Sequence, residues 1–264
     1  MSAEATDMPK VAADGPPPVL AVSEARKSFG AVHALNGASL AVHAGEIVAL
    51  LGDNGAGKST LIKAMTGVHR LDSGQLTVDG EEVVFHSPAD SRRRGIETVF
   101  QDLAVFDNLP ARANFFVGRE RVAPSWLGRL GFLREREMTR EWQRYVDDLE
   151  VVIPDPDQPL GVMSGGQRQA IAVARAAAFA DRVLILDEPT AALGVRESGQ
   201  VLELVKRLPA RGIGVILISH NLEHVARVAD RAVVLRRGRI VGEAVPTAEN
   251  HELLVSLIVG AQYA

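Results

Sequence analysis

The chain has no cysteine in its 264 residues, which excludes disulfide bonds and thiolate metal sites and suits a reducing compartment. It has no excess of positive charge. With 29 Lys and Arg against 33 Asp and Glu the net charge is −4, so no global field draws in nucleic acid. The local runs Arg92, Arg93, Arg94 and Arg236, Arg237, Arg239 read as solvated faces. No uninterrupted apolar run approaches the ~20 residues that cross a bilayer, so membrane association must come through a partner. Residues 1–18 lack the positive start and apolar centre of a secretion signal and read as a disordered tail. There is no internal repeat and no low-complexity tract. What is there is 47% apolar, enough to bury a substantial core as one large domain or two small ones.

The chain is organised around Gly52, Asp53, Asn54, Gly55, Ala56, Gly57, Lys58, Ser59 and Thr60, between the apolar run 47–51 and the periodic segment 61–65. The spacing Gly52…Gly57-Lys58-Ser59 is that of a phosphate-binding loop. Its glycines let consecutive N–H groups turn inward as an anion nest, and the helix that follows adds the positive end of its dipole. Lys58 is placed to reach β and γ phosphates, and Ser59 to put a hydroxyl on Mg²⁺, with Thr60 beside it. A strand before and a helix after is the context this motif requires. A nucleoside triphosphate is therefore the expected ligand.

Around that loop the sequence predicts an α/β fold. Short β-like runs at 19–22 and 39–42 flank an expected turn at 27–30. A strand at 46–51 delivers the loop, and a helix over 58–66 closes on Gly67. Strands at 75–78 and 82–85 are joined by Asp79-Gly80, a hairpin signal. A short helix from Pro88 to Arg94 precedes a strand at 96–100 that ends at Gln101. Strand signals stop from 102 to about 163, where helices are expected at 109–117 and 133–149. The second carries Leu133, Met138, Trp142, Tyr145, Val146 and Leu149 near one face. This region reads as a helical subdomain inserted into the core, left through an extended linker at Pro154, Pro156 and Pro159. Beyond it, an Ala-rich helix to 180, strand 183–186, helix 195–208, strand 214–218 and helix 222–228 alternate as a parallel sheet requires. Strands at 232–235 and 239–241 and a helix at 253–259 complete the chain.

Two carboxylates stand at the tip of the continuous apolar run Val183-Leu184-Ile185-Leu186. Asp187 is the candidate for Mg²⁺, and Glu188 for polarising an attacking water. Met163-Ser164-Gly165-Gly166-Gln167, after a phosphate loop and before Asp187-Glu188, resembles the signature of ATP-binding-cassette ATPases, whose fold is a phosphate-loop core with an antiparallel β subdomain and an inserted helical subdomain. The resemblance covers nearly all of 19–264. It implies that Ser164, Gly165, Gly166 and Gln167 close over ATP held by a second copy, so that a head-to-tail homodimer is the hydrolytic unit. It also implies that Phe29 stacks on adenine, an ordinary core side chain being the competing reading. Gln101 would sense Mg²⁺ and water, and His220 would bond the γ-phosphate. After Pro189-Thr190 this chain has Ala191-Ala192-Leu193-Gly194, where the family commonly has Ser-Ala-Leu-Asp, so the carboxylate that usually bridges the interface is missing.

Gly67-Val68-His69 with Asp72-Ser73-Gly74, and the stretch 191–198, resemble cassettes of bacterial monosaccharide importers of the ribose, xylose and fructose type. Many of those carry two cassettes in one chain, and the single cassette read here is similar to the fructose-type members. That likeness implies a cytoplasmic subunit, peripheral on the inner face of the membrane, beneath two permease subunits and served by a periplasmic or extracellular sugar-binding protein. Gln101 is the expected hinge and residues 106–116 the docking surface. No nucleic-acid partner is expected. The rivals are a transporter of a non-sugar substrate, a soluble cassette ATPase acting on ribosomes or DNA, and an unrelated phosphate-loop kinase, which leaves the 164–167 motif as accident.

Overall fold

The computed structural model describes residues 16–260 apart from 125, 127–129, 152, 154 and 192. Most of the expected N-terminal tail, and Pro154 of the expected linker, lie outside the described residues. The first two strands, β1 (Leu20–Phe29) and β2 (Val32–Val42), form a long antiparallel hairpin. The turn expected at 27–30 is thus mostly strand, and the chain reverses only at Gly30 and Ala31. The reason is irregular pairing: register shifts near Ala25 and Lys27 break the alternation by which a strand is read from sequence. With β4 (Ser73–Val78) and β5 (Glu81–Glu82), these strands make a four-stranded sheet in the order β2-β1-β4-β5. The strand expected at 82–85 is paired only at its start, because the chain then turns inward to bury Phe85 beside Gly67.

The second sheet has the order β10-β9-β3-β8-β7-β6. Its members are β3 (Ile47–Leu51), β6 (Ile96–Val99), β7 (Val183–Asp187), β8 (Gly214–Ile218), β9 (Arg231–Arg236) and β10 (Arg239–Ala244). All neighbours are parallel except the β9–β10 pair at one edge. The central strands read as unbroken apolar runs because both faces are covered. Val48, Leu50, Val183, Ile185, Ile216 and Ile218 pack toward the antiparallel sheet and α1 (Lys58–Met65). Leu184, Leu186, Val215 and Leu217 face the opposite core, formed with α5 (Gly165–Phe179) and α6 (Val195–Arg207), here numbered after α2 (Pro88–Arg93), α3 (Ala111–Phe116) and α4 (Glu135–Asp148). Helices α7 (Leu222–Val228) and α8 (His251–Val259) cover the β9 side.

Between β6 and β7 the described residues form helices and isolated bridges but no strand of either sheet. Met138, Trp142, Val146 and Leu149 bury one face of α4 and its end, as the period predicts, whereas Leu133 lies before the helix and is exposed. Phe115 and Phe116, within the expected docking surface, are fully buried against Tyr145 and Phe179. Only Phe106 of that segment's phenylalanines offers an exposed ring. Packing of α3 on α5 accounts for the difference, since it sets both rings against Phe179 at the end of α5.

Candidate functional site

Strand register sets the site. Leu50 pairs with Ile218, and Ile218 pairs with Asp187, while Val99 pairs with Leu186. Four parallel strands therefore end together, and the residues that follow them emerge side by side: Gly52, His220, Glu188 and Gln101. In an open parallel sheet this carboxyl edge is where ligands bind.

The loop is built by close approach of backbone. Gly52 has φ +145°, and a Cβ there would fall 2.1 Å from the Leu235 carbonyl oxygen. Gly57 has φ +109°, with the Ala34 carbonyl 2.5 Å from a would-be Cβ. Neither position admits a side chain. Ala56 is buried, its carbonyl accepting from the N–H of Gly238 at 2.8 Å, and Gly238 in turn accepts from the N–H of Asn36 at 2.8 Å. The loop is thus pinned to both sheets, with Asp53, Asn54 and Gly55 exposed at its crest and Ser59 and Thr60 in the first turn of α1. A cavity of about 410 Å³ runs behind the crest, between Asp53–Ala56 and Arg236, Arg237 and Gly260. Lys58 Nζ donates to the carbonyls of Gly52 (2.5 Å) and Asp53 (3.1 Å), curling over its own loop where phosphate oxygens would be competing acceptors.

Asp187, at the tip of β7, carries a pKa above the ordinary carboxylate range. Burial raises it first and the neighbouring Glu188 charge second, with Lys58 and Lys63 opposing. A carboxylate in that situation gains by meeting a cation. Among the described residues no group of three or more His, Asp or Glu side chains could cage a metal alone. One carboxylate within the field of α1, whose first turn carries the Ser59 hydroxyl, matches instead a hard cation that takes most of its oxygen ligands from phosphates and water. Glu188 donates its N–H to the Ile218 carbonyl at 3.0 Å, has φ +53°, and holds Oε2 2.8 Å from His220 Nδ1. Its side chain is 16% exposed and that of His220 70%, so the pair sits at the mouth of the site.

Phe29 is 46% exposed, edge-on to His69 at 5.2 Å and with Lys27 Nζ 5.6 Å from its ring centroid. The core alternative is set aside. Gln101 is exposed beyond β6. The Ser164 segment is not joined to the loop by any hydrogen bond among the described residues. Ser164 caps α5 reciprocally with Gln167, the Ser164 N–H donating to Gln167 Oε1 at 2.9 Å and the Gln167 N–H to Ser164 Oγ at 3.2 Å. Ser164 and Gly165 are exposed. One contact escaped the sequence reading: Thr190 Oγ1 lies 3.0 Å from His224 Nδ1. The available signal was Asn221, a capping residue that starts a helix after His220 and sets His224 in its first turn.

The family profile described as ABC transporter matches residues 35–191. The chain is 45% identical over 246 residues to the xylose/arabinose import ATP-binding protein XylG of Sulfolobus acidocaldarius, covering 92% of this chain and 96% of that protein. It is 44% identical over 224 residues to the fructose import ATP-binding protein FrcA of Rhizobium meliloti, covering 84% and 86%. Among solved structures, a nucleotide-free ATP-binding cassette from an ABC transporter superposes with a TM-score of 0.79 at 27% identity, over 92% of this chain and 97% of that one. A dimeric cassette bound to ADP and Pi, in a post-hydrolysis state, shares the fold at a TM-score of 0.71 and 22% identity, over 87% and 99%. The chain belongs to the ABC transporter family and is an ATPase of that type.

Proposed function

We propose that this chain is the ATP-hydrolysing subunit of a monosaccharide importer. The observation that carries the proposal is the row of Gly52, His220, Glu188 and Gln101 at one sheet edge in a chain that matches XylG and FrcA over most of their lengths. Residues 19–264 act as one cassette whose helical segment, 102–163, moves against the core. Loop N–H groups from Gly52 to Lys58 cradle the phosphates, and Lys58 leaves its own carbonyls to bind β and γ oxygens. Phe29 stacks on the adenine. Ser59 and Asp187, joined by Gln101, would hold Mg²⁺, which when bound would neutralise phosphate charge. Glu188 takes the proton of the attacking water, and His220 keeps that carboxylate aimed and bonds the γ-phosphate.

Ser164, Gly165, Gly166 and Gln167, presented outward at the start of α5, close on ATP held by a second copy, so the working unit is a head-to-tail dimer. No helix among the described residues is long and apolar enough to cross a membrane. Permease subunits are the membrane partners, contacted near Gln101 and Phe106 from the cytoplasmic face, and an external sugar-binding protein supplies substrate to them. Replacing Glu188 by Gln tests the chemistry: a bound fluorescent ATP analogue should be retained while phosphate release falls at least a hundredfold, about the worth of a general base. Normal turnover in that variant refutes the role. Uptake of labelled xylose, arabinose, fructose and ribose by cells with and without the chain tests the substrate class, and unchanged uptake of all four refutes sugar import while leaving the ATPase intact.

A further inference from the structure

Glu188 sits in the left-handed backbone region, φ +53°, which a residue with a side chain holds only where its surroundings dictate it. Those surroundings grip the segment at both ends. At one end the Glu188 N–H donates to Ile218 and its carboxylate meets His220 Nδ1 at 2.8 Å. At the other, two residues on, Thr190 is buried and its Oγ1 lies 3.0 Å from His224 Nδ1, its only side-chain hydrogen bond among the described residues. Pro189 stands between them with its φ locked, which removes one of the torsions that could absorb a displacement of Thr190 before it reaches Glu188. The two imidazoles share a rigid frame. Asn221 Oδ1 accepts the N–H groups of Glu223 and His224 at 3.0 and 3.1 Å, capping α7, and the Asn221 N–H donates to Ser219 Oγ at 3.1 Å.

We propose that His224, acting through Thr190, is a positioning residue for Glu188: it fixes the far end of the Glu188-Pro189-Thr190 segment so that the carboxylate stays in register with His220 and the attacking water. The proposal rests on the ATPase reading of this site. Burial first, then the Arg227 guanidinium and His220, against Glu223, hold the His224 imidazole below the usual histidine range. The ring is therefore neutral at physiological pH and offers Thr190 one fixed role at Nδ1 rather than a mobile charge.

The test is steady-state ATP hydrolysis by Thr190→Val, His224→Ala, their double variant, and the conservative Thr190→Ser and His224→Asn, with binding of a fluorescent ATP analogue measured alongside. For Thr190→Val and His224→Ala, kcat should fall about tenfold, the fold-change set by one lost hydrogen bond, with KM and analogue affinity held within about twofold. The double variant should be no slower than the slower single one, and the conservative variants should keep most of the rate. A role confined to stability would lower melting temperatures and leave kcat alone. Wild-type kcat in either Thr190→Val or His224→Ala, losses that multiply in the double variant, or losses that appear in KM each overturn the proposal. Should Thr190→Val fail to fold, the contrast of His224→Ala with His224→Asn, at a partly exposed position, decides alone. A wild-type chain that hydrolyses no ATP refutes the ATPase reading itself, a different result from active variants beside an active wild type.

Discussion

Arg119→Ala should destabilise this fold strongly, and by an amount that depends on pH. Glu97, on β6, has a side chain only 10% exposed and pairs with Arg119, 28% exposed, which follows α3. The Arg119 guanidinium also lies 4.3 Å from the centroid of the Phe179 ring. Removing it strands a carboxylate in a buried site, a loss of about 3 kcal/mol for one side of such a pair. A cation–π contact worth about 1 kcal/mol goes with it. Arg92 and Arg175 still act on Glu97, so the net cost should be about 3 kcal/mol, a fall of roughly 6–12 °C in melting temperature for a chain of this size. Glu97 already titrates above the carboxylate range because burial outweighs its arginine neighbours. A raised acid costs stability only when ionised in the folded state: nothing below its unfolded pKa, the full amount above the folded one. Loss of Arg119 raises it further, so the penalty should be largest at neutral pH and shrink as pH falls toward 4.5. Urea denaturation across that range, with Glu97→Gln and the double variant, is the assay. The double variant should recover all but about 1 kcal/mol. A penalty that is flat with pH, or a double variant as unstable as Arg119→Ala, refutes this account of how β6 is tied to the helical segment.

The active site should show the opposite trade. Asp187 is also raised, by burial and by Glu188, so its ionised form costs stability above the ordinary range near 3.8. Asp187→Asn should therefore raise the melting temperature of the nucleotide-free chain at neutral pH, a gain that fades as pH falls toward 4, while abolishing Mg²⁺-dependent hydrolysis; thermal melts and phosphate release report both. Gly57→Ala places a Cβ 2.5 Å from the Ala34 carbonyl at φ +109°. It should cost at least ~2 kcal/mol and eliminate binding of a fluorescent ATP analogue. Phe29→Ala, at an exposed ring, should weaken ATP binding about tenfold, the worth of one aromatic stack, with no change in the melting temperature.

The parts of the fold legible from the sequence were those in which one local pattern does one job. β3, β7 and β8 are covered on both faces, so their apolar runs are unbroken and their ends fall within a residue of the expected positions. The loop from Gly52 to Thr60 was legible because its glycines answer to a backbone shape that few other residues can take. Illegible were features set by distant partners. The hairpin of β1 and β2 is bulged, so alternation fails where pairing persists. Phe115 and Phe116 look like docking aromatics until Phe179 of α5 and Tyr145 of α4 are known to pack on them. The bonds of Thr190 to His224 and Glu97 to Arg119 join positions 34 and 22 residues apart, and no spacing rule spans such gaps.

The missing carboxylate at Gly194 is best understood through Glu197, in the first turn of α6. A Cβ on Gly166 would fall 2.4 Å from Glu197 Cγ and 2.7 Å from its Cβ, and a Cβ on Gly194 would fall 2.7 Å from Glu197 Oε2. The two clashes differ in kind. At Gly194 the obstacle is the far end of a flexible side chain, which a rotamer change removes. At Gly166 it is the root of the same side chain, which moves only if α6 moves. Gly166 is therefore demanded by packing within this one chain, before any phosphate of a second copy is considered. Gly194 is the N-cap of α6, so an aspartate there would gain a capping carboxylate but set it against the Glu197 carboxylate, with like-charge repulsion between them. With Glu197 in that space, glycine at 194 avoids that repulsion.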